Sequence, residues 1–139
     1  MIRTSMPKAI EIGTSIAPGT RVDIQKAAIE SWRNCGFHVV SFNEPDEIDS
    51  LEASFPGVRF VPQPRNGNAL VGKPLIFISD ILRHLASPGA GIGGIINSDI
   101  ILSPEGGLGE FLREQAVNSF VYGPRLDVHS ADESNGTMD

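Results

Sequence analysis

The amino-acid sequence predicts a three-layer α/β fold, in which a mainly parallel β-sheet is covered by helices on both faces. Two observations support this prediction. The 139 residues are enough for one domain. Along the chain, segments of strand-like composition alternate with segments whose apolar residues recur at helical spacing. Such alternation is typical of βαβ units, whose ligands bind at the carboxyl ends of the strands.

The first predicted unit consists of a strand, a helix and a second strand. Residues 9–16 alternate apolar with small or polar side chains and run into a proline and a glycine, which is typical of a strand that enters a loop. Residues 20–35 carry apolar side chains at helical spacing and precede Gly36, so we expect a helix there with Thr20 as its N-cap. Residues 37–42 are β-branched and aromatic, which favours the second strand.

The middle of the chain continues the alternation. A short acidic helix is expected at residues 46–54 and a third short strand at 58–61, after which the chain stays irregular to about Gly72. Pro74 suits the first turn of the next helix, which is broadly apolar and which residues 87–89 terminate.

The last third of the chain predicts two strands, one helix and a tail. Residues 95–102 form an apolar strand that a polar triplet interrupts, residues 105–116 a helix, and residues 119–122 a last strand. We assign residues 1–128 to a single domain. Residues 129–139 have no core-forming pattern and are predicted to be a polar tail.

Composition excludes several classes of protein. Eleven Lys and Arg against 17 Asp and Glu give a net charge of −6, so the chain lacks the basic surface of general nucleic-acid-binding proteins. The single cysteine, Cys35, allows neither an intramolecular disulfide nor a multi-cysteine zinc site. The sequence contains no apolar run of membrane-spanning length and no apolar leader segment. We therefore expect a cytoplasmic protein without a membrane span.

Two glycine-rich motifs lack the context that nucleotide-binding loops need. Residues 67–73 have the glycine and lysine spacing of a phosphate-binding loop, but Pro74 stands where that loop needs a hydroxyl for Mg²⁺. Gly89, Gly91 and Gly94 match the dinucleotide fingerprint, yet they follow a predicted helix and precede a predicted strand. That order is the reverse of the one the fingerprint requires. We predict a loop at the first motif and a helix-to-strand turn at the second.

The polar triplet Asn97-Ser98-Asp99 is the strongest functional signal in the sequence. Burying a polar group costs about 1–3 kcal/mol unless it is hydrogen-bonded, and burying an ionised carboxylate costs more. One interpretation is that Asp99 caps the turn that follows the strand. The other is that Asn97 and Asp99, which share one face of a strand, hold a divalent cation. Mg²⁺ and Mn²⁺ prefer carboxylate and amide oxygens of this kind.

The triplet resembles the metal motif of a known enzyme family. Glycosyltransferases of the GT-A fold carry a D-x-D motif at a strand end, and Asn97-Ser98-Asp99 looks like an N-x-D version of it. The upstream segments Ser79-Asp80-Ile81-Leu82-Arg83 and Gly93-Gly94-Ile95-Ile96 are similar to the S-D-x-x-R helix and the glycine-led strand of the transferases with a DXD sugar-binding segment. The chain as a whole resembles the N-terminal, donor-binding half of such an enzyme.

This resemblance implies a nucleotide-diphosphate sugar as the ligand and Mn²⁺ or Mg²⁺ as the cofactor. Asp99 and Asn97 are the implied metal ligands. The implied donor-binding residues are Thr14, Ser15, Arg21, Asp80, Arg83, Asn97 and Arg125. No acceptor-binding half is recognised in the sequence, so we do not expect turnover by this chain alone. A homo-oligomer or a missing C-terminal half is expected to complete the enzyme.

Other interpretations of the same residues stay open. Asp80 and Arg83 are three positions apart and can pair on a solvated helix face. Arg125 and Asp127 can likewise form an ordinary turn pair. Two further functions are therefore alternatives to a glycosyltransferase domain. One is a non-catalytic α/β module that binds a ligand or a partner, and the other is a metal-dependent phosphohydrolase built on Asp80, Asp99 and Asp127.

Overall fold

A computed structural model describes residues 9–73, 75–86, 91–103 and 105–127. These residues form a four-stranded, all-parallel sheet with helices on both faces, which confirms the predicted α/β class. The strands are β1 (Ile10–Thr14), β2 (His38–Asn43), β3 (Arg59–Pro62) and β4 (Ile92–Ile95). The helices are α1 (Val22–Asn34), α2 (Pro45–Leu51), α3 (Asn68–Val71), α4 (Ile78–Leu85) and α5 (Leu108–Gln115).

The strand order in the sheet is β3-β2-β1-β4. The chain therefore builds outward from β1 to one edge and then returns to the other side of β1. All three pairings are parallel, and Ile12 of β1 lies in register between Val39 of β2 and Gly94 of β4. The reversal between β1 and β4 is a topological switch point, where open α/β sheets leave a crevice at the carboxyl ends of their strands.

One face of the sheet is covered mainly by α1. Ile12 and Val39 on this face belong to the same buried cluster as Trp32 of α1, and partly buried leucines of α5 pack against that cluster. Trp32 is fully buried, and its indole N–H donates to the carbonyl of Ile100 at 2.7 Å. Trp32 is therefore a core residue with a satisfied polar atom.

The opposite face is covered by α4. Ile81 and Leu85 of α4 form a second buried cluster with Val40 and Phe42 of β2. The closest approach is at Gly13 of β1, where a Cβ atom would lie 2.6 Å from Cγ2 of Ile81. Because no side chain fits at that distance, glycine is what lets α4 lie directly on the sheet.

The strand predicted at residues 95–102 is wrong in position. β4 ends at Ile95, and the next residues form a turn in which the N–H of Ile100 donates to the carbonyl of Asn97 at 3.1 Å. Asn, Ser and Asp favour turns because their short side chains bond to nearby backbone groups. The polar triplet therefore ends the strand instead of interrupting it.

Further boundaries differ from the predicted ones. Residues 119–122 were expected to be a strand but have no regular structure, and Phe120 and Tyr122 are 96% and 95% exposed. Aromatic and β-branched residues stabilise a strand through cross-strand neighbours, and no described strand pairs with these residues in the sheet. Gly94, predicted to form a turn, lies within β4. The segment predicted to be irregular contains the short helix α3.

Several predictions fall outside the described residues. They concern the helix start at Pro74, the helix stop at residues 87–89 with the first fingerprint glycine, and the polar tail at 129–139. Within the described residues the helix begins later than predicted, because residues 75–77 are not helical and Phe77, in an extended conformation, is the N-cap of α4. Within the ranges that the structure describes, every helix is too short or too polar to cross a membrane.

Candidate functional site

A cleft of about 380 Å³ lies at the switch point between β1 and β4. Its polar lining comes from the end of β1, the start of α1 and the turn after β4. Its large apolar residues come from α4, the segment before α4, the end of β4 and the residue after it. They are Ile76, Ile78, Ile81, Ile95 and Ile96. The cleft thus combines a polar and an apolar surface at the edge of the sheet where ligands of open α/β folds bind.

The structure brings five of the eight predicted site residues to this cleft, because the carboxyl ends of β1 and β4 are neighbours. These five are Thr14, Ser15, Arg21, Asn97 and Asp99. Asp80, Arg83 and Arg125 do not line it. Arg125 instead lies 3.1 Å from Asp127 in an exposed segment, as an ordinary ion pair.

Gln25 of α1 organises the cleft, although it was not predicted to be a site residue. Its buried side-chain amide donates to the carbonyls of Ala17 at 2.8 Å and Thr20 at 3.0 Å. Its side-chain oxygen accepts from the N–H of Ala17 at 2.8 Å and the hydroxyl of Ser98 at 2.6 Å. The sequence signal was a polar residue three positions before Ala28, on the buried stripe of the helix.

A second buried network holds the residues after β1 from the side of β2. The Ser41 hydroxyl accepts from the N–H of Ile16 at 3.0 Å and donates to Oδ1 of Asn43 at 2.5 Å. The side-chain amide of Asn43 donates to the carbonyl of Ile16 at 2.8 Å. Ser41 and Asn43 are fully buried. Satisfied buried networks of this kind rigidify the segments they join, so the loop between β1 and α1 is fixed from two sides.

Arg21 brings a positive charge to the cleft from a strained backbone position. It precedes α1 with φ 49° and ψ 35°, so Arg21, not Thr20, is the N-cap residue. The left-handed conformation costs a residue with a Cβ about 1–2 kcal/mol, and such residues cluster at functional sites. The guanidinium Nη1 lies 3.2 Å from Oδ2 of Asp99, and the two side chains are 59% and 35% exposed.

The cleft residues fit a resident divalent cation poorly. Asp99 already accepts a hydrogen bond from the guanidinium of Arg21, so a cation at this carboxylate would meet a positive charge. Asn97 adds only a neutral amide oxygen. Across the described ranges, no three His, Cys, Asp or Glu side chains are grouped so that they could hold a metal ion. The metal site therefore stays a prediction, and no chemical step below depends on it.

Asp80 and Arg83 form an ion cluster on α4 outside the cleft lining. One carboxylate oxygen of Asp80 lies 3.3 Å from Nη1 of Arg83, and the other lies 3.7 Å from Nε of Arg65. Asp80 is buried, and within the described residues its Oδ2 atom accepts no hydrogen bond. Arg65 also stacks on the Phe77 ring at 4.9 Å. The predicted pair between Asp80 and Arg83 is thus present, but Asp80 is buried and does not lie on a solvated helix face. The contact with Arg65 ties the preceding segment to α4.

A second depression, of about 350 Å³, lies at the amino ends of the strands, at the opposite end of the sheet from the cleft. It is lined by the first residues of β2 and β3, His38 and Arg59, together with Arg33 of α1. Open α/β sheets bind their ligands at the carboxyl ends of the strands, so the cleft between β1 and β4 is the better candidate site.

Neither a family model nor a curated protein nor a solved structure matches this chain. A functional proposal therefore rests on the geometry and chemistry of the cleft.

Proposed function

We propose that the chain binds a nucleotide-diphosphate sugar in the cleft between β1 and β4, as a donor-binding domain of GT-A type. The observation that carries the proposal is a cleft at the switch point whose polar loop is fixed by Gln25 and by the Ser41 and Asn43 network. Polar groups that are already ordered lose little entropy when a ligand binds. The loop is thus prepared for a ligand before the ligand arrives.

The cleft offers a suitable surface for each part of such a ligand. The planar guanidinium of Arg21 can donate two parallel hydrogen bonds to a diphosphate. The isoleucines of α4 and β4 provide an apolar surface for a base. The side chains of Thr14, Ser15 and Asn97 can bond to ribose or sugar hydroxyls. The volume lies within the range of about 300–1,000 Å³ that is usual for small-molecule sites.

In glycosyl transfer, the bond between the anomeric carbon and the diphosphate oxygen breaks while an acceptor oxygen bonds to that carbon. The leaving diphosphate gains negative charge, which the guanidinium of Arg21 would stabilise. Among the described residues we assign none to an acceptor, whose positioning is a large part of such catalysis. We therefore propose donor binding by this chain, with turnover dependent on a second copy or a further polypeptide.

Calorimetric titration with UDP-, GDP- and CMP-sugars and with the free nucleotides tests this function. We expect at least one of them to bind and Arg21→Met to weaken that binding about tenfold, as for a lost charged hydrogen bond. Arg59→Met is the matched control, because it removes an exposed guanidinium at the opposite end of the sheet. The proposal fails if no nucleotide binds with or without Mn²⁺.

A non-catalytic partner-binding module is a second candidate, favoured by the almost fully exposed rings of Phe120 and Tyr122. Exposed aromatic side chains are enriched at protein interfaces. Sedimentation of the parent and of Phe120→Ser/Tyr122→Ser tests this candidate through self-association. A parent that stays monomeric at all concentrations removes the second copy as the partner.

A further inference from the structure

The ion pair between Arg21 and Asp99 points to how the cleft recognises an anion. We propose that Arg21 binds the diphosphate in place of a divalent cation, and that Asp99 competes with the diphosphate for Arg21 instead of ligating a metal. This inference rests on the proposed function, because it concerns the same cleft. It also opposes the metal role that the sequence resemblance implies for Asp99.

The two residues come from different parts of the chain and meet at the cleft. Arg21 precedes α1 and Asp99 lies in the turn after β4, 78 positions later. The side-chain contact involves one guanidinium nitrogen, Nη1, at 3.2 Å. A guanidinium has five N–H donors, so Arg21 retains donors for a second anion. A diphosphate and Asp99 would nevertheless carry like charges beside the same group.

The backbones that carry the pair are both held in place. The N–H of Gln25 donates to the carbonyl of Arg21 at 3.0 Å, which ties the backbone of Arg21, the N-cap residue, to the first turn of α1. Ser98, next to Asp99, is bonded to the side chain of Gln25 at 2.6 Å. The side chains themselves are partly solvated, and exposed ion pairs contribute little to stability. A diphosphate can therefore displace Asp99 without loss of the loop structure.

The metal and competitor hypotheses predict opposite effects for one substitution. If Asp99 ligates a cation that holds the diphosphate, Asp99→Asn weakens binding, and binding requires Mn²⁺ or Mg²⁺. If Asp99 competes for Arg21, Asp99→Asn removes both the competing partner and a repelling charge. Binding then becomes tighter, and it does so without metal.

The test is calorimetric titration of pyrophosphate and UDP into the full chain, once with a chelator and once with Mn²⁺. Asp127→Asn is the matched control, because Asp127 belongs to an exposed ion pair with Arg125 at 3.1 Å that does not line the cleft. Both Asp substitutions change the net charge from −6 to −5. With the chelator we expect Asp99→Asn to bind about three- to tenfold tighter, Asp127→Asn to match the parent, and Arg21→Met to bind weaker.

The other outcomes distinguish failure of this inference from failure of the proposed function. If Asp99→Asn binds no tighter than the parent, or if the parent binds only with Mn²⁺, the inference is wrong while the proposed function stands. If neither the parent nor Asp99→Asn binds any nucleotide or pyrophosphate, both are wrong. Asp99→Ser serves as a second variant, and circular dichroism confirms that each variant is folded. The gain in Asp99→Asn should also shrink as salt rises, because salt screens exposed charges.

Discussion

Gln25 of α1 and Ser98 of the turn after β4 share a 2.6 Å hydrogen bond, although 73 positions separate them in the sequence. After Ser98 the chain runs along α1 toward the carboxyl end of that helix. Ser31 accepts from the N–H of Leu102 at 2.9 Å, and Trp32 donates to the carbonyl of Ile100 at 2.7 Å. The segment that carries the polar triplet is thus fastened to the core through α1, and Gln25 is its attachment point at the cleft.

Replacing Gln25 by leucine should destabilise the fold by about 2–4 kcal/mol, since several buried hydrogen bonds are lost at once. Ala17 loses partners for both its N–H and its carbonyl. We expect a lower urea midpoint and faster amide exchange at residues 15–21. Gln115→Leu, at the exposed end of α5, is the control and should change stability by less than about 0.5 kcal/mol. Equal effects of the two substitutions would contradict the role of Gln25.

Removing the Ser41 hydroxyl should also cost stability. Ser41→Ala leaves the N–H of Ile16 and Oδ1 of Asn43 without their partner, which costs about 1–3 kcal/mol in a buried site. Denaturant unfolding measures the loss. Ser50→Ala is the matched control, because the Ser50 hydroxyl donates to the carbonyl of Glu47 on the exposed surface. A Ser41→Ala protein as stable as the parent would show that the network does not hold the loop.

Adding one methyl group at Gly13 should destabilise the fold by about 1–3 kcal/mol through overpacking. The new Cβ would lie 2.6 Å from Cγ2 of Ile81 and 3.3 Å from the Phe42 ring. Ile81→Ala removes the closer atom, so Gly13→Ala should cost less in that background than in the parent. A double-mutant cycle in urea measures this coupling. Additive losses would mean that α4 does not press on Gly13.

Short-range patterns were sufficient to predict the first half of the fold. Strand-like composition marks β1, β2 and β3, and an apolar stripe marks α1. Because these signals lie within each element, the element types were predicted correctly and the boundaries differed by a few residues. Ligand binding at the carboxyl ends of the strands was predicted from the alternation of strands and helices, and the resemblance implied Thr14, Ser15 and Asn97 as site residues. Thr14, Ser15 and Asn97 do line one cleft.

Long-range partners explain what could not be predicted. Whether Phe120 and Tyr122 form a strand depends on a neighbouring strand that local sequence does not specify. The end of β4 at Ile95 was not predicted, because apolar residues stand on both sides of the triplet in the sequence. The ion pair between Asp99 and Arg21 was not predicted, because the two residues are 78 positions apart in the sequence. Distant pairing of this kind leaves no trace in local composition.

The Cys35 thiol should be a poor nucleophile near neutral pH. Burial raises the pKa of Cys35, so the thiol stays protonated where an unfolded cysteine begins to ionise. A cysteine whose pKa is higher in the folded than in the unfolded state adds to the free energy of unfolding. This contribution is complete below about pH 8.5, the usual thiol pKa, and it is lost as the pH rises through the folded-state pKa. We expect slow labelling by a disulfide reagent at pH near 8 and fast labelling in urea. Over the same pH range Cys35→Ala should lose less stability than the parent.

Replacing Arg21 by glycine should make the protein more stable and less able to bind an anion. Glycine adopts the φ of 49° without the penalty of about 1–2 kcal/mol. Glycine also gives the unfolded chain more conformational freedom, which lowers the stability by about 0.4–1 kcal/mol. A net gain of about 0.5–1 kcal/mol should appear as a higher melting temperature, together with weaker pyrophosphate binding. Asn118→Gly is the control, because Asn118 also has a positive φ, of 51°, but does not line the cleft.

The control separates the cost of strain from the function of the side chain. Asparagine tolerates the left-handed conformation better than arginine does, so Asn118→Gly should gain less stability than Arg21→Gly and leave pyrophosphate binding unchanged. If Arg21→Gly is less stable than the parent, the guanidinium contributes to the fold itself. If it is more stable and binds pyrophosphate as the parent does, Arg21 has no part in anion binding. A gain in stability with a loss of binding is the result expected of a residue that is kept in a strained position for its charge.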